Sequence, residues 1–482
     1  MFFIFVFLAA NLCSQILLKS APHKNFAMLI FSLVFYSWAG PKYLVLLLGM
    51  SAISWAGALK MGPAGKNAGA GRKRTLVVTV GACLIILGIF KYTGFFLENV
   101  QAFFGVPEII PEIALPIGIS FYTFQLISYV ADVYRGDVAP QKKYLMVLLY
   151  ASLFHQCIAG PIVRYRDIES DLIRREAKLP EISRGISRFT IGLAKKAILA
   201  NGCAAVCDSF FELPKEQLSE LPVLGVWLGA IFFTLQIYLD FSAYSDMAIG
   251  MGLMCGLHYK ENFNYPYISN TVTEFWRRWH ISLSSFFRDY VYIPLGGNRC
   301  SKGRQVFNIF AVWALTGLWH GASWNFVIWG LYFGLLLCIE RFVLNLKKKE
   351  AAGRQPKGAL AHITVLFLVV LSWVIFKFTD SSLMITALRG LFGLNGAGLT
   401  NFSTYLSLKN NIFFLAFCVI ACTPLGRNLR ALLKSRAEKP NGGLIFRLID
   451  SAWEILHPVL FLILSAMALA GESYNPFLYF RF

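Results

Sequence analysis

The sequence predicts an all-α, polytopic membrane protein, and three observations predict it. Of 482 residues, 57% are hydrophobic and only 15% charged, with a mean hydropathy of +0.58, far too apolar for a soluble chain of this length. Apolar runs approaching the ~20 residues needed to cross a hydrocarbon core recur from end to end. The net charge of +19 is gathered into short breaks between those runs: Lys60 to Arg74, Arg164 to Arg188, Arg341 to Lys357 and Arg427 to Arg447. That is how basic residues hold loops in the cytoplasm, and it argues against a nucleic-acid partner.

Taken in order, Met1 to Leu18 has neither a basic start nor a small-residue cleavage site, so it reads as a retained span and not a signal peptide. Pro41 to Leu59, Leu76 to Phe96, Leu115 to Tyr134, Tyr144 to Ile162 and Gly185 to Phe211 follow. Leu221 to Asp240, Phe241 to Leu257, Val306 to Leu318, Ser323 to Leu344, Ala361 to Phe378, Asn411 to Leu425 and Ile455 to Gly471 complete the set. Several are short or broken by Pro, Gly or charge, which predicts roughly ten to twelve elements at membrane depth, some of them re-entrant. Counting from a cytoplasmic Lys60 to Arg74, full spans throughout would put Arg164 to Arg188 outside, against the charge rule. Either Leu115 to Tyr134 or Tyr144 to Ile162 must therefore dip in and return, and Leu115-Pro-Ile-Gly-Ile-Ser120 and Ala159-Gly-Pro161 are suitable breakers.

Many chemistries find no support. Cys203 and Cys207, like Cys418 and Cys422, are spaced i,i+4, but in apolar helical sequence where cysteine behaves as a small hydrophobe, so no metal is expected. No His-Glu pair begins a zinc motif, Gly65-Lys66 is followed by Asn and so breaks a phosphate-binding loop, and no Gly-x-Ser-x-Gly elbow occurs.

What remains is a polar constellation in mid-chain. In Glu274-Phe-Trp-Arg-Arg-Trp-His-Ile-Ser-Leu-Ser-Ser285, a continuous helix would set His280 beside Trp276, Arg277 and Ser284 and pair Glu274 with Arg278. Five charged residues between Glu274 and Asp289 make this stretch too polar to span lipid, so it lies along an interface or lines a cavity. His320, in Leu315-Thr-Gly-Leu-Trp-His-Gly-Ala-Ser-Trp324, sits in uncharged sequence among Gly317, Gly321, Ala322 and Ser323. Small residues there can leave a channel for an acyl thioester and an incoming hydroxyl, with a neutral imidazole as general base. The plain alternative is that these histidines hydrogen-bond a neighbouring helix and the tryptophans mark the lipid interface. In Leu235-Gln-Ile-Tyr-Leu-Asp-Phe-Ser-Ala-Tyr-Ser-Asp246, Asp240 shares a face with Gln236 and Tyr244, and Asp246 with Ser242. These carboxylates serve either as a proton path or as hydrogen-bonded glue, and nearby Tyr and Ser favour the latter.

Asn262-Phe-Asn-Tyr-Pro-Tyr267, Glu274-Phe-Trp-Arg-Arg-Trp-His280, Arg288-Asp-Tyr-Val-Tyr-Ile-Pro-Leu-Gly-Gly-Asn298 and Thr316-Gly-Leu-Trp-His-Gly-Ala-Ser-Trp324 together resemble the membrane-bound O-acyltransferase superfamily, nearest its bacterial alginate O-acetyltransferase type. Leu115 to Gln125, Ala159 to Ile162, Tyr238 to Asp246 and the terminal Phe480-Arg-Phe482 extend the likeness over nearly the whole chain. The resemblance implies one membrane-embedded acyltransferase domain over residues 1–482, with a catalytic core at about 115–345 flanked by N-terminal and C-terminal spans, and a helical fold around a transmembrane tunnel. It implies His320 as the catalytic histidine and His280 as the second signature position. Trp276, Arg277, Trp279, Ser284, Trp319 and Asn325, with Asp240 and Tyr244, are the expected substrate-binding set.

The expected reaction moves an acyl group, first of all acetyl from acetyl-CoA, from a cytoplasmic thioester across the cell membrane for O-acetylation of a polysaccharide. His320 takes the acceptor's proton while His280 and Arg277 position the donor or stabilise developing charge. No bound cofactor or metal is expected; the implied partner is a secreted or membrane-anchored SGNH-type transferase that passes acetyl to the glycan. D-alanyl transfer to teichoic acid from a carrier-protein thioester is the alternative. A transporter coupled through Asp240 and Asp246, or an export scaffold with dispensable histidines, stands further off, since paired repeat halves are not evident.

Overall fold

A computed structural model describes residues 1–38, 40–63, 70–105, 113–346, 358–439, 444–471 and 476–478. Parts of the basic loops at 60–74, 341–357 and 427–447, and the terminal Phe480 to Phe482, lie outside the described residues. Among those described there is helix and no strand, as an apolar chain in lipid requires, because only a helix satisfies its own backbone within one segment.

Among the described residues, eight helices are long and apolar enough to cross a membrane: Pro41–Met61, Gly71–Phe104, Leu179–Phe211, Val223–Met254, Trp324–Val343, Ala359–Lys377, Phe402–Ala421 and Leu444–Ala470. Shorter elements accompany them, including apolar Phe3–Leu17. The runs at 221–240 and 241–257 prove to be one 32-residue helix, Val223–Met254. Asp240 and Asp246 do not break it because each is neutralised in place, by Lys196 at 2.6 Å and by Arg188 at 2.8 Å. Ala21–Trp38 is a helix the hydropathy reading passed over, since His23, Lys24 and Asn25 make its first turn polar. In the stretch from 144 to 162, helix persists only over the nine residues Tyr144–Ser152, about 14 Å at 1.5 Å per residue, too short to cross. The chain that follows, 153–164, is buried and non-helical, as the Ala159-Gly-Pro161 breaker predicts.

The described chain forms two compact units: residues 1–189, 245–261 and 285–291, and residues 190–244, 262–284 and 292–482. The region 115–345, expected as a core, contributes to both. In the first unit, Ile119–Arg135 is buried along nearly its whole length, with Phe124 stacked on Phe286 at 4.2 Å. Three cationic groups there meet Asp289: Arg164 at 2.7 Å, Arg288 at 2.7 Å and Arg166 at 3.8 Å.

The second unit holds both candidate histidines. Its centre is aromatic: the Trp276 ring lies 4.5 Å from Trp313 and 4.8 Å from Phe333, and Trp279 lies 4.8 Å from Trp373. The short Val272–Arg278 helix is fixed at its start by the Glu340 carboxylate, which accepts from the Val272 and Thr273 amides at 2.6 and 2.8 Å and from the Thr273 hydroxyl at 2.7 Å. A buried carboxylate on otherwise unpaired N-terminal amides satisfies them and complements the helix dipole. Thr271 completes the cap by accepting from Glu274 N, and Glu274 in turn pairs with Arg278 at 2.9 Å, as its spacing predicts. Lys302–His320, started by the Ser301 cap, packs on Trp324–Cys338.

Candidate active site

A continuous helix through His280 does not form. Val272–Arg278 ends, Trp279 is extended, His280 turns left-handed at φ 43°, and Ile281–Phe287 begins afresh. The break is set from outside the segment, by residues 262–264. Asn264 N donates to Arg278 O at 2.9 Å, closing the first helix, and Asn262 O accepts from Ile281 N at 2.9 Å, opening the second. The expected shared face of Trp276, Arg277, His280 and Ser284 is therefore replaced by a corner. Ser284 Oγ still reaches back to Trp276 O at 3.3 Å, while Arg277 is exposed and His280 is wholly buried.

The His280 ring lies edge-on to Phe241 at 4.7 Å, 6.4 Å from Phe263 and 5.8 Å from Trp319. Its Nδ1 is 3.1 Å from Asn262 Oδ1, and its Nε2 is buried with no hydrogen-bond partner among the described residues. His280 lies outside the eight long apolar helices, and burial pushes its pKa down to about 3, so the ring is neutral at physiological pH.

His320 ends its helix and is 7% exposed. Trp319, Trp329 and Phe376 surround it at 5.0, 5.0 and 5.3 Å between ring centroids. The Trp319 ring thus touches both imidazoles, and no more than these two ring contacts laid end to end can separate them.

Two of the small residues expected to leave space beside His320, Gly317 and Gly321, are instead closed against Phe326 of the facing helix. A Cβ on Gly317 would meet Phe326 O at 2.2 Å, one on Gly321 the Phe326 ring at 2.1 Å, and one on Gly330 Trp313 O at 2.2 Å. Glycine here lets Lys302–His320 and Trp324–Cys338 approach backbone to backbone, as small residues do between membrane helices. Asn325 is also engaged structurally. Its amide donates to Ile375 O at 3.3 Å and Phe376 O at 3.0 Å, capping the end of Ala359–Lys377. Trp276 and Trp279 are packed in the aromatic centre.

Asp240 and Tyr244 serve an anchor. Asp240 takes the Lys196 ammonium on one oxygen at 2.6 Å and Leu478 N on the other at 2.7 Å. Lys196 also donates to Pro476 O at 3.1 Å, and Tyr244 meets the Phe477 ring at 5.0 Å. Two residues that matter escaped the sequence reading. Glu340 acts far along the chain from the helix it caps, and Lys196 looked like one more basic residue although a lone lysine in apolar helix calls for a partner.

The membrane-bound O-acyltransferase family profile matches residues 140–370, a stretch that includes both histidines. The chain is 37% identical to the probable alginate O-acetylase AlgI of Pseudomonas putida, over 100% of this chain and 99% of that one. It is 31% identical to the peptidoglycan O-acetyltransferase of Helicobacter pylori, over 100% of this chain and 96% of that one. To the teichoic acid D-alanyltransferase of Bacillus subtilis it is 31% identical over 48% of this chain and 60% of that one.

Proposed function

We propose, from the premise that this chain belongs to the membrane-bound O-acyltransferase family, that it transfers acetyl from a cytoplasmic thioester to the acceptor of an extracytoplasmic polysaccharide. It is a multi-pass membrane O-acyltransferase; the finer reading names acetyl-CoA as donor and an SGNH-type partner as first acceptor. The observation that carries the reading is the placement of two buried imidazoles against one tryptophan ring, in a unit otherwise packed with aromatic side chains. An imidazole is the side chain suited to proton transfer near neutral pH, and a water-poor surround strengthens every polar interaction it makes with substrate.

In the transfer step the acceptor oxygen forms its bond to the thioester carbonyl carbon as its proton passes to His320. The carbon–sulfur bond then breaks and the thiolate leaves. Arg277, which is exposed at the end of its helix, meets the negatively charged part of the donor. His280 holds the donor. Asp240 and Tyr244 act at a distance, by fixing the C-terminal segment.

The test is radiolabelled acetyl-CoA given to the purified protein in detergent, followed by a purified SGNH-fold partner and then polysaccharide. Label appearing on the partner or glycan, dependent on His320, supports the reading. Label accepted only from a D-alanyl carrier thioester would replace acetyl with D-alanyl, the activity named for the Bacillus subtilis relative. No transfer from either thioester would sink it.

A further inference from the structure

Three groups converge on the side-chain oxygen of Asn262: Ser282 N at 3.2 Å, Ser282 Oγ at 2.8 Å and His280 Nδ1 at 3.1 Å. A backbone N–H can only donate, so the amide of Asn262 must present its oxygen here. Since that oxygen carries no hydrogen, Nδ1 must supply one. Ser282 Oγ, whose hydrogen points at Asn262, offers only lone pairs to Nδ1 at 3.4 Å, which requires the same proton. A neutral imidazole with hydrogen on Nδ1 has an unshared pair on Nε2, and Nε2 is the buried atom with no partner among the described residues. Around the ring stand Phe241, Phe263 and Trp319, with Asn262 and Ser282 at Nδ1; the shift of the His280 pKa comes from burial, with no charged neighbour contributing. Asn262 is itself wholly buried, and its carbonyl holds the helix that starts after His280. The left-handed turn that orients the ring and the bond that fixes its tautomer thus come from one residue.

We propose that Asn262 is a positioning residue for acyl transfer, holding His280 as the Nδ1–H tautomer so that Nε2 accepts a hydrogen bond from an N–H of the acyl donor. This rests on the reading that His280 lines the transfer site, and it deepens that reading. His280 is then an acceptor and gives nothing to a developing oxyanion. The acceptor hydroxyl's single proton goes to His320, so His280 gains and loses no proton and steadies a thioester whose amide-bearing arm supplies the N–H.

The primary test needs no turnover. Nitrogen NMR of the detergent-solubilised full chain with ¹⁵N-labelled histidine, assigned by difference against His280→Gln, should show Nδ1 protonated and Nε2 bare at neutral pH. The second arm uses Asn262→Asp, which keeps an acceptor of the same shape where Asn262→Ala could fail to fold. A carboxylate within hydrogen-bond distance raises the imidazole pKa by about 1–3 units and, added to the loss of the neutral amide, makes His280 titrate closer to neutral pH. Acetyl-CoA binding, insensitive to pH above about 5 in the parent, should then weaken on acidification by up to tenfold per pH unit, with the rate at saturating donor much less affected. A parent spectrum with hydrogen on Nε2, or Asn262→Asp binding acetyl-CoA with the parent's flat pH profile, would overturn the proposal. Undiminished donor binding and transfer by His280→Gln would also overturn it, through the reading of the site, whatever tautomer the spectrum shows.

Discussion

Substituting Gly317 by alanine separates two explanations of the small residues around His320. The added Cβ would stand 2.2 Å from Phe326 O and 3.0 Å from Phe326 C, both main-chain atoms of the facing helix that no rotamer change can move aside. Ordinary contact between such atoms needs about 3.5 Å, so the two helices must part by roughly 1 Å. Overpacking of this kind costs about 1–3 kcal/mol. Because His320 closes the same helix one turn later, a shift of that size also displaces its imidazole, and if His320 is the base proposed above, a misplacement of about 1 Å can lower turnover by about 100-fold. The assay is thermal unfolding of the purified protein in detergent beside single-turnover acetyl transfer. Both should fall together in Gly317→Ala, and Gly330→Ala, which would meet Trp313 O at 2.2 Å, should behave alike. A Gly317→Ala protein with parental stability and rate would refute close helix packing as the purpose of these glycines. A loss confined to bulky donors, with stability intact, would restore the channel.

Two further outcomes follow from the same structure. Asp240→Asn leaves the Lys196 ammonium buried without its carboxylate and should destabilise the protein by about 3–5 kcal/mol, whereas Lys196→Met combined with Asp240→Leu should recover much of the loss; thermal unfolding of the three proteins checks this. Single cysteines introduced into the basic Lys60 to Arg74 or Arg341 to Lys357 loop should resist an impermeant thiol reagent applied outside cells and react once the membrane is opened; labelling of intact cells would invert the topology.

The helical membrane class was legible in the sequence because it depends on run length and charge placement, which are properties of neighbours along the chain. So was the burial of His280 and His320, since each is flanked by tryptophan in an apolar chain. The local geometry was not legible. Periodicity alone extends a helix through Trp276 to Ser284; the left-handed His280 is imposed by Asn262 and Asn264, which the fold brings back to the break. Nor could composition tell a glycine that leaves space from one that is filled, because the filling comes from Phe326 on the next helix. Asp240 read as two possibilities until Lys196 and the Leu478 amide were seen to occupy its two oxygens.

In the proposed division of labour, His320 carries the chemical step and His280 with Arg277 holds the donor. This division is tested most directly by measuring acetyl-CoA binding and single-turnover transfer side by side for His320→Ala, His280→Ala and Arg277→Ala, each first shown to insert normally. His320→Ala should bind donor as the parent does and transfer nothing, while Arg277→Ala and His280→Ala should bind donor more weakly, with Arg277→Ala regaining transfer at high donor concentration. Donor binding lost only in His320→Ala would mean that the two histidines have been assigned each other's roles. Transfer surviving in all three would remove the histidines from the mechanism altogether.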